Sequence, residues 1–139
     1  MVAIADTSYV VAIAVATDPK HALCRAVHRE QQIIYLPQST LAEVTYLITR
    51  ASGNRATANF LKGLPESKYR IEALTLEDIR RTADILDQYA DSRVDFVDAT
   101  IATVAERLGV TRILTLDQRD FHIIRPRHAP HFEVLPQAQ

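Results

Sequence analysis

Short apolar runs that alternate with stretches of helical periodicity constrain the fold of this 139-residue chain more than any other feature. The clearest runs cover residues 2–5, 33–36 and 112–116. Each is shorter than a typical helix, and near-continuous apolar strands are typical of parallel sheets that are buried on both faces. Between the runs, apolar residues recur every three or four positions and predict helices near residues 8–16, 19–30, 40–52, 54–64, 76–89 and 96–108.

Capping residues support several of these helix boundaries. The Asp-Pro pair at residues 18–19 predicts an N-cap followed by a first-turn proline, and Thr75 predicts an N-cap with Asp78 three residues later. Gly53 and Gly109 predict the ends of two helices, because glycine readily adopts the conformation that terminates them. Additional short strands are expected at residues 69–74, 123–124 and 132–135.

The alternation of strands and helices predicts an α/β fold, a three-layer α/β/α sandwich with a central, mostly parallel sheet. The length and the absence of a Gly/Ser/Pro-rich linker predict one domain over residues 1–139. We expect residues 136–139 to form a disordered tail.

The net charge and the cysteine count narrow the possible classes of function. The formal net charge is -1, so no global positive field marks a nucleic-acid partner, although a local basic rim can still bind a polyanion. Cys24 is the only cysteine, which excludes an intrachain disulfide and a zinc site built from cysteines. We find no signal peptide and no apolar stretch of the roughly 18 residues that span a bilayer, so we expect a cytoplasmic protein without a membrane partner.

Four acidic residues, Asp6, Glu43, Asp98 and Asp117, lie beside apolar runs or within apolar helical patterns. Asp6 and Asp117 directly follow predicted strands, whereas Glu43 and Asp98 lie near the starts of predicted helices. Ligand sites of open parallel sheets form at the carboxyl ends of the strands, so we expect these side chains to meet at that edge. Carboxylates that converge need a cation, because burying them unpaired costs free energy.

The ligand types narrow the identity of that cation. Carboxylate oxygens without histidine or cysteine ligands favour Mg²⁺, with Mn²⁺ as a substitute, over zinc. Such ions polarise a phosphoryl oxygen and activate a bound water, and two ions together can clamp both oxygens of an in-line displacement. The pattern therefore predicts hydrolysis of a phosphodiester by metal-activated water, without a covalent protein nucleophile.

Each of these carboxylates also has a structural interpretation. Asp98 could complete a capping box with Asp95, and Asp117 could belong to an ordinary turn. Glu43 could be a solvated helix position, and Asp6 could simply cap the helix that follows it. The joint placement of the four residues, rather than any one of them, supports a site.

Two other functions remain open on the same residues. A phosphotransfer or phosphatase-like α/β domain could use Asp6 as its nucleophile, although dehalogenase-like phosphatases need a second aspartate where this chain has Ser8. A non-catalytic acidic binding module could use the carboxylates to hold a structural cation or a basic peptide. No Gly-x-Ser-x-Gly motif supports a serine hydrolase.

Four segments, taken in order, resemble the PIN-domain ribonucleases, and most closely the VapC toxins of bacterial type II toxin–antitoxin systems. They are residues 4–8 (Ile-Ala-Asp-Thr-Ser), 41–44 (Leu-Ala-Glu-Val), 97–109, and 114–121 (Leu-Thr-Leu-Asp-Gln-Arg-Asp-Phe). No single segment is specific, but their order and spacing extend the resemblance over essentially the whole chain.

The resemblance implies that Asp6, Glu43, Asp98 and Asp117 are an acidic quartet that holds Mg²⁺ and carries catalysis, with Asp6 and Asp98 as the most direct ligands. It also implies that Thr115 is a hydroxyl position beside the site that orients water or phosphate. The expected activity is that of an endoribonuclease acting on structured RNA, such as tRNA or rRNA.

The same resemblance implies a cognate VapB-like antitoxin whose C-terminal segment occupies the groove, and a homodimer within a larger toxin–antitoxin assembly. Arg119, Arg125 and Arg127 are possible RNA contacts, because they cluster with three histidines after the last acidic residue of the quartet. For Asp95 and Asp120, two further acids near the motifs, we expect capping and turn roles.

Overall fold

The structure, a computed structural model, describes residues 1–137 and contains a five-stranded parallel sheet with helices on both faces. The strands are β1 Val2–Ala5, β2 Ile33–Pro37, β3 Tyr69–Glu72, β4 Arg112–Leu114 and β5 Glu133–Leu135. The helices are α1 Thr7–Ala14, α2 His21–Glu30, α3 Leu41–Ser52, α4 Asn54–Gly63, α5 Leu76–Gln88, α6 Phe96–Leu108 and α7 Arg119–Ile123. Single 3-10 turns cover Gln38–Thr40 and Leu64–Glu66.

Strand β1 lies at the centre of the sheet, whose order is β3-β2-β1-β4-β5. It pairs in parallel with β2 through Ala3 and Ile34, and with β4 through Ala5 and Leu114. The outer pairs are also parallel, so the carboxyl ends of all five strands lie along one edge. This arrangement places the residues that follow β1 next to those that follow β4.

Alternate residues of the central strands face two separate cores. Ile4 and Ile113 pack with residues of α5 and α6, whereas Ala3 and Leu114 pack with residues of α1 and α3. All four side chains are fully buried. Burial on both faces explains why these strands have no polar alternation, and the predicted three-layer α/β/α fold is confirmed.

The short strand predicted at residues 123–124 is wrong, because Ile123 is the last residue of the helix α7 and Ile124 is its C-cap. Phe121 and Ile124 are both buried, three residues apart, and Phe121 packs edge-on against Phe132 with ring centroids 6.4 Å apart. Two adjacent apolar residues fit the period of a strand and that of a helix equally, so tertiary packing decides between them.

The predicted start of α2 is also wrong, whereas the predicted cap of α5 is confirmed. The Asp18 carboxylate accepts a hydrogen bond of 2.8 Å from the Lys20 backbone and forms a turn, so the helix begins only at His21. At α5, Thr75 and Asp78 form a reciprocal capping box. An Asp-Pro pair thus supports a turn as readily as a helix start.

The tail predicted at residues 136–139 lies partly outside the described residues, which end at 137. Beyond β5, the side-chain amide of Gln118 donates a hydrogen bond to the backbone carbonyl of Pro136, so the described chain is still anchored there. No helix formed by residues 1–137 is long and apolar enough to cross a membrane.

Candidate active site

Asp6 lies directly after the central strand and is almost fully buried. It caps α1, since its Oδ1 accepts a hydrogen bond of 2.7 Å from the backbone N–H of Thr7. Its Oδ2 accepts a second hydrogen bond, of 2.9 Å, from the Thr115 hydroxyl. The carboxylate is therefore fixed in orientation from both sides of the gap between β1 and β4.

Thr115 follows β4 and connects two of the predicted acidic residues, Asp6 and Asp117. Its buried Oγ1 donates to Asp6 and accepts a hydrogen bond of 3.0 Å from the Asp117 backbone N–H. Ser8 joins this arrangement, because its Oγ lies 3.3 Å from Thr115 Oγ1 and accepts 2.9 Å from the Leu116 backbone. The segment that follows β4 and carries Asp117 is thereby tied to the start of α1.

Asp98 lies in the first turn of α6 and is buried. It forms a capping box with Asp95: Asp98 N donates to Asp95 Oδ1 at 2.9 Å, and Asp95 N donates to Asp98 Oδ2 at 3.2 Å. The capping interpretation that the sequence left open is thus realised. Asp98 also lines a cavity together with Asp6, so its capping role is compatible with the predicted role in a site.

Glu43 and Asp117 complete the predicted quartet with more exposed side chains. Glu43 lies in the first turn of α3, where its Oε2 accepts a hydrogen bond of 3.2 Å from the Thr7 hydroxyl. The Asp117 side chain is 40% exposed. The carboxylates of Asp6 and Asp98 are therefore buried, whereas those of Glu43 and Asp117 are more accessible.

Asp120, for which the sequence favoured a turn role, also faces the cavity that Asp6 lines. It lies in the first turn of α7, only 4% exposed, and lines the same cavity as Asp6. Its Oδ1 is buried and makes no hydrogen bond within the described residues. A signal was present in the sequence: Asp117 and Asp120 are three residues apart, a helical spacing that can place both carboxylates on one side.

These side chains surround a cavity of about 270 Å³ at the carboxyl edge of the sheet. Its described lining contains six carboxylates and one guanidinium, that of Arg93. The carboxylates belong to Asp6, Glu43, Asp95, Asp98, Asp117 and Asp120. The structure therefore brings all four predicted acids together with Asp95 and Asp120, for which capping and turn roles were expected. It adds one cation, Arg93, which the sequence had not singled out.

The two buried carboxyls hold their protons unusually tightly. Burial, together with the charges of Glu43 and Asp95, raises the pKa of Asp6 to about 6, even though its hydrogen bonds from Thr115 and Thr7 oppose the shift. Burial and the charges of Asp95, Asp6 and Asp120 raise the pKa of Asp98 to about 8. Raised carboxyl pKa values indicate that the protein's own groups under-compensate the negative charge of this cavity.

The chemistry of the donor set fits a hard divalent cation. All candidate ligands are carboxylate oxygens, and the buried Oδ1 of Asp120 lacks a hydrogen bond that a cation would replace. Within residues 1–137, however, no three acidic, histidine or cysteine side chains are yet arranged as a metal site.

The three arginines predicted to contact RNA lie at different distances from the acidic cavity. Arg119 is exposed, with Nε 3.9 Å from Asp117 Oδ1, and lines a neighbouring cavity of about 620 Å³ together with Lys20. Arg125 lines a separate cavity. The backbone N–H of Arg127 donates to Glu106 Oε2 at 2.7 Å, on the surface of α5 and α6. Of the three, Arg119 lies next to the acidic residues.

Comparison with known families agrees with this architecture. The family described as PIN domain matches residues 3–125, which is most of the chain. The chain therefore belongs to the PIN-domain family. This confirms the resemblance to the PIN-domain ribonucleases, and with it the prediction that the protein is a nuclease.

Individual relatives point to one group within the family. The chain is 29% identical to Ribonuclease VapC26 of Mycobacterium tuberculosis over 134 residues, covering 96% of this chain and 99% of that protein. Its fold is similar to that of M. tuberculosis VapC20, described as a Sarcin-Ricin loop cleaving toxin, with a TM-score of 0.78, 22% identity and coverage of 85% and 92%. It is also similar to VapBC2 from Rickettsia felis bound to a promoter DNA fragment, with a TM-score of 0.65, 14% identity and coverage of 96% and 97%.

Proposed function

We propose that this protein is the toxin of a type II toxin–antitoxin system and acts as a Mg²⁺-dependent endoribonuclease that hydrolyses structured RNA, such as tRNA or rRNA. The observation that carries the proposal is the cavity at the carboxyl edge of the sheet, where two buried carboxyls with raised pKa values meet further carboxylates. The similarity to VapC26 over nearly the whole of both chains supports the choice of RNA as the substrate.

The quartet Asp6, Glu43, Asp98 and Asp117 would hold the divalent ion, and Asp120 would add a fifth carboxylate. Mg²⁺ in such a site polarises a phosphoryl oxygen and lowers the pKa of a bound water, and Mn²⁺ supplies the same chemistry. The two most buried carboxyls, whose pKa values are raised, would lose their protons when the cation binds.

The hydroxyls around the cavity orient ligands rather than attack the substrate. Thr115 donates to Asp6 and Thr7 donates to Glu43, so both carboxylates are held in place by neighbouring hydroxyls. Ser8 Oγ accepts from the Leu116 backbone. These engaged hydroxyls suit a reaction in which water is the nucleophile and no covalent enzyme intermediate forms.

A path for the RNA backbone runs beside the acidic cavity. The larger cavity that contains Lys20 and Arg119 shares Ser8 and Asp117 with the acidic one, so two cations flank the approach to the carboxylates. Local cations of this kind can bind phosphates even though the net charge of the chain is -1. Arg125 and Arg127 would contact only more distant parts of a large RNA.

A VapB-like antitoxin is the proposed protein partner, and a homodimer the proposed toxin unit within a larger assembly. The fold likeness to a chain of VapBC2 from R. felis supports this partner class. Cellular RNA as the substrate places the proposed activity in the cytoplasm. Light scattering of the purified chain, alone and with its co-expressed antitoxin, tests both assembly states.

Cleavage of RNA by the purified, antitoxin-free protein is the direct test. Total RNA incubated with the protein should acquire discrete new ends with Mg²⁺ and none with EDTA. Asp6→Asn should abolish these ends, whereas Asp87→Asn, the same change at an exposed position of α5, should not. Cation binding without cleavage would instead favour a non-catalytic acidic module, and phosphorylation of Asp6 by a small phosphodonor would favour a phosphotransfer domain.

A further inference from the structure

Arg93 is a cation that lines the acidic cavity and lies outside the sequence motifs. It lies in the connection between α5 and α6, within a tightly held segment. The Ser92 hydroxyl before it donates to the Tyr89 carbonyl at 2.7 Å and accepts from the Val94 backbone at 3.2 Å. Val94, the residue after it, is buried. The backbone of Arg93 is thus anchored, while its side chain is 51% exposed.

The guanidinium of Arg93 pairs with two carboxylates on one side of the cavity. Its terminal nitrogen lies 3.6 Å from Asp117 Oδ2, and its Nε lies 3.5 Å from Asp120 Oδ1. Neither contact is a hydrogen bond, and Asp120 Oδ1 remains buried without a donor. The guanidinium therefore compensates negative charge without forming a hydrogen bond to Asp120 Oδ1, and this oxygen stays available to a better-placed cation.

Arg93 is the single cationic side chain among the described residues that line this cavity, facing six carboxylates. A divalent ion bound near Asp117 and Asp120 would lie within a few ångströms of the guanidinium and would repel it. Because the arginine side chain is half exposed and flexible, it can turn towards solvent at low cost.

We infer that Arg93 is a built-in counter-cation that competes with the divalent ion for the Asp117 and Asp120 carboxylates and thereby sets the metal affinity of the site. The inference rests on the proposed metal-dependent function. It goes further by assigning a determinant of metal affinity to a residue outside the acidic set. In the metal-free protein Arg93 partly neutralises the cavity, and metal binding displaces it.

Titration of the metal-free protein with Mn²⁺, followed by calorimetry and by the loss of the free-ion EPR signal, tests this competition without RNA. Arg93→Gln should bind Mn²⁺ about 3- to 10-fold more tightly than the wild type, the range expected for removing one or two partly exposed ion pairs. Arg93→Lys, which keeps the charge, should remain within about 2-fold of the wild type.

Arg119→Gln is the matched control, because it removes the same charge beside Asp117 but from a side chain that does not line the acidic cavity. Its Mn²⁺ affinity should change less than about 2-fold. Equal tightening in Arg93→Gln and Arg119→Gln would overturn the inference, since it would indicate a general charge effect. Unchanged affinity in Arg93→Gln would overturn it as well.

Thermal unfolding separates competition from a merely structural role. Without metal, Arg93→Gln should melt below the wild type, because the cavity loses its counter-charge, and saturating Mn²⁺ should remove that difference. A deficit that persists at saturating Mn²⁺ would contradict the inference. If Asp98→Asn and the wild type bind Mn²⁺ identically, the proposed metal site itself fails. If Asp98→Asn weakens binding and Arg93→Gln has no effect, only the role of Arg93 fails.

Discussion

Helices α5 and α6 pack against each other and begin with the same capping box, yet the aspartate at the third position has opposite surroundings in the two. Asp78 and Asp98 are both buried and both accept a hydrogen bond from the backbone of their own N-cap residue. Around Asp78 the Arg107 guanidinium contacts both carboxylate oxygens, at 3.1 and 3.2 Å. Around Asp98 the neighbours are carboxylates.

The pKa values of the two aspartates follow these surroundings. Burial alone would raise the pKa of Asp78, but the hydrogen bond from the Thr75 backbone and the Arg107 guanidinium hold it below its usual value. Burial and neighbouring negative charges raise the pKa of Asp98 to about 8. One local motif therefore serves stability in α5 and, by our proposal, catalysis in α6, and the tertiary counter-charge makes the difference.

The largest expected difference between the two aspartates is in activity. Asp98→Asn keeps an oxygen that can accept the capping hydrogen bond but removes the charge, and we expect about a 1000-fold loss of RNA cleavage, near 4 kcal/mol of transition-state stabilisation. Asp78→Asn should leave the cleavage rate of the folded protein within a few-fold of the wild type. Comparable losses in both variants, measured by initial rates at saturating Mg²⁺, would end the functional distinction.

Metal binding should stabilise the fold, and this stabilisation should depend on Asp98 but not on Asp78. At a Mg²⁺ concentration about 100 times its dissociation constant, the wild type should gain about 2.7 kcal/mol. For a chain of this length the gain corresponds to a rise of roughly 5–10 °C in melting temperature. Asp78→Asn should show the same rise, whereas Asp98→Asn should show little or none. A full rise in Asp98→Asn would place the cation elsewhere.

The stability of the metal-free protein should respond in the opposite order. Asp78→Asn removes the charge of a buried carboxylate that pairs with the partly exposed Arg107 guanidinium, and it should cost about 2 kcal/mol of unfolding free energy. Asp98→Asn should be neutral or stabilising, because it removes one of several clustered negative charges. Urea unfolding in EDTA checks both values, and a greater loss in Asp98→Asn would favour a mainly structural role for α6's capping box.

The contrast also explains how far the sequence could go. The apolar runs that end at Ala5 and Leu116 located the edge of the sheet, although β4 itself ends at Leu114. The acids after them, Asp6 and Asp117, could be placed there because strand ends in a parallel sheet share one side. Both capping boxes were also readable, because a cap depends only on residues three positions apart.

The arginines that pair with these acidic residues could not be predicted from the sequence in the same way. Arg107 is 29 residues from Asp78 along the chain, and Arg93 reaches Asp120 from the loop between two helices. Nothing in the local pattern indicates which arginine pairs with which acid, since that depends on how α5, α6 and α7 pack. A turn role was expected for Asp120. Its burial depends on the helix α7, whereas the sequence predicted a strand at residues 123–124, where this helix ends.

The smallest expected effect is on the pH dependence of the unfolding free energy, which should differ between Asp98→Asn and Asp78→Asn. The folded-state pKa of Asp98 is raised from 3.8 to about 8, so the folded protein binds its proton more tightly than the unfolded chain does, and ionisation costs stability as pH rises from about 4 towards 8. The pKa of Asp78 is lowered, so its contribution to stability is present above pH 4 and is lost as pH falls below that value.

In EDTA, the unfolding free energy of Asp98→Asn should therefore rise relative to that of the wild type between pH 5 and 7, by about 1 kcal/mol or more. Asp78→Asn should stay below the wild type by a nearly constant amount over the same range. Parallel curves for Asp98→Asn and the wild type would mean that Asp98 is already ionised at pH 5, and that its carboxylate neighbours are better compensated than their arrangement indicates.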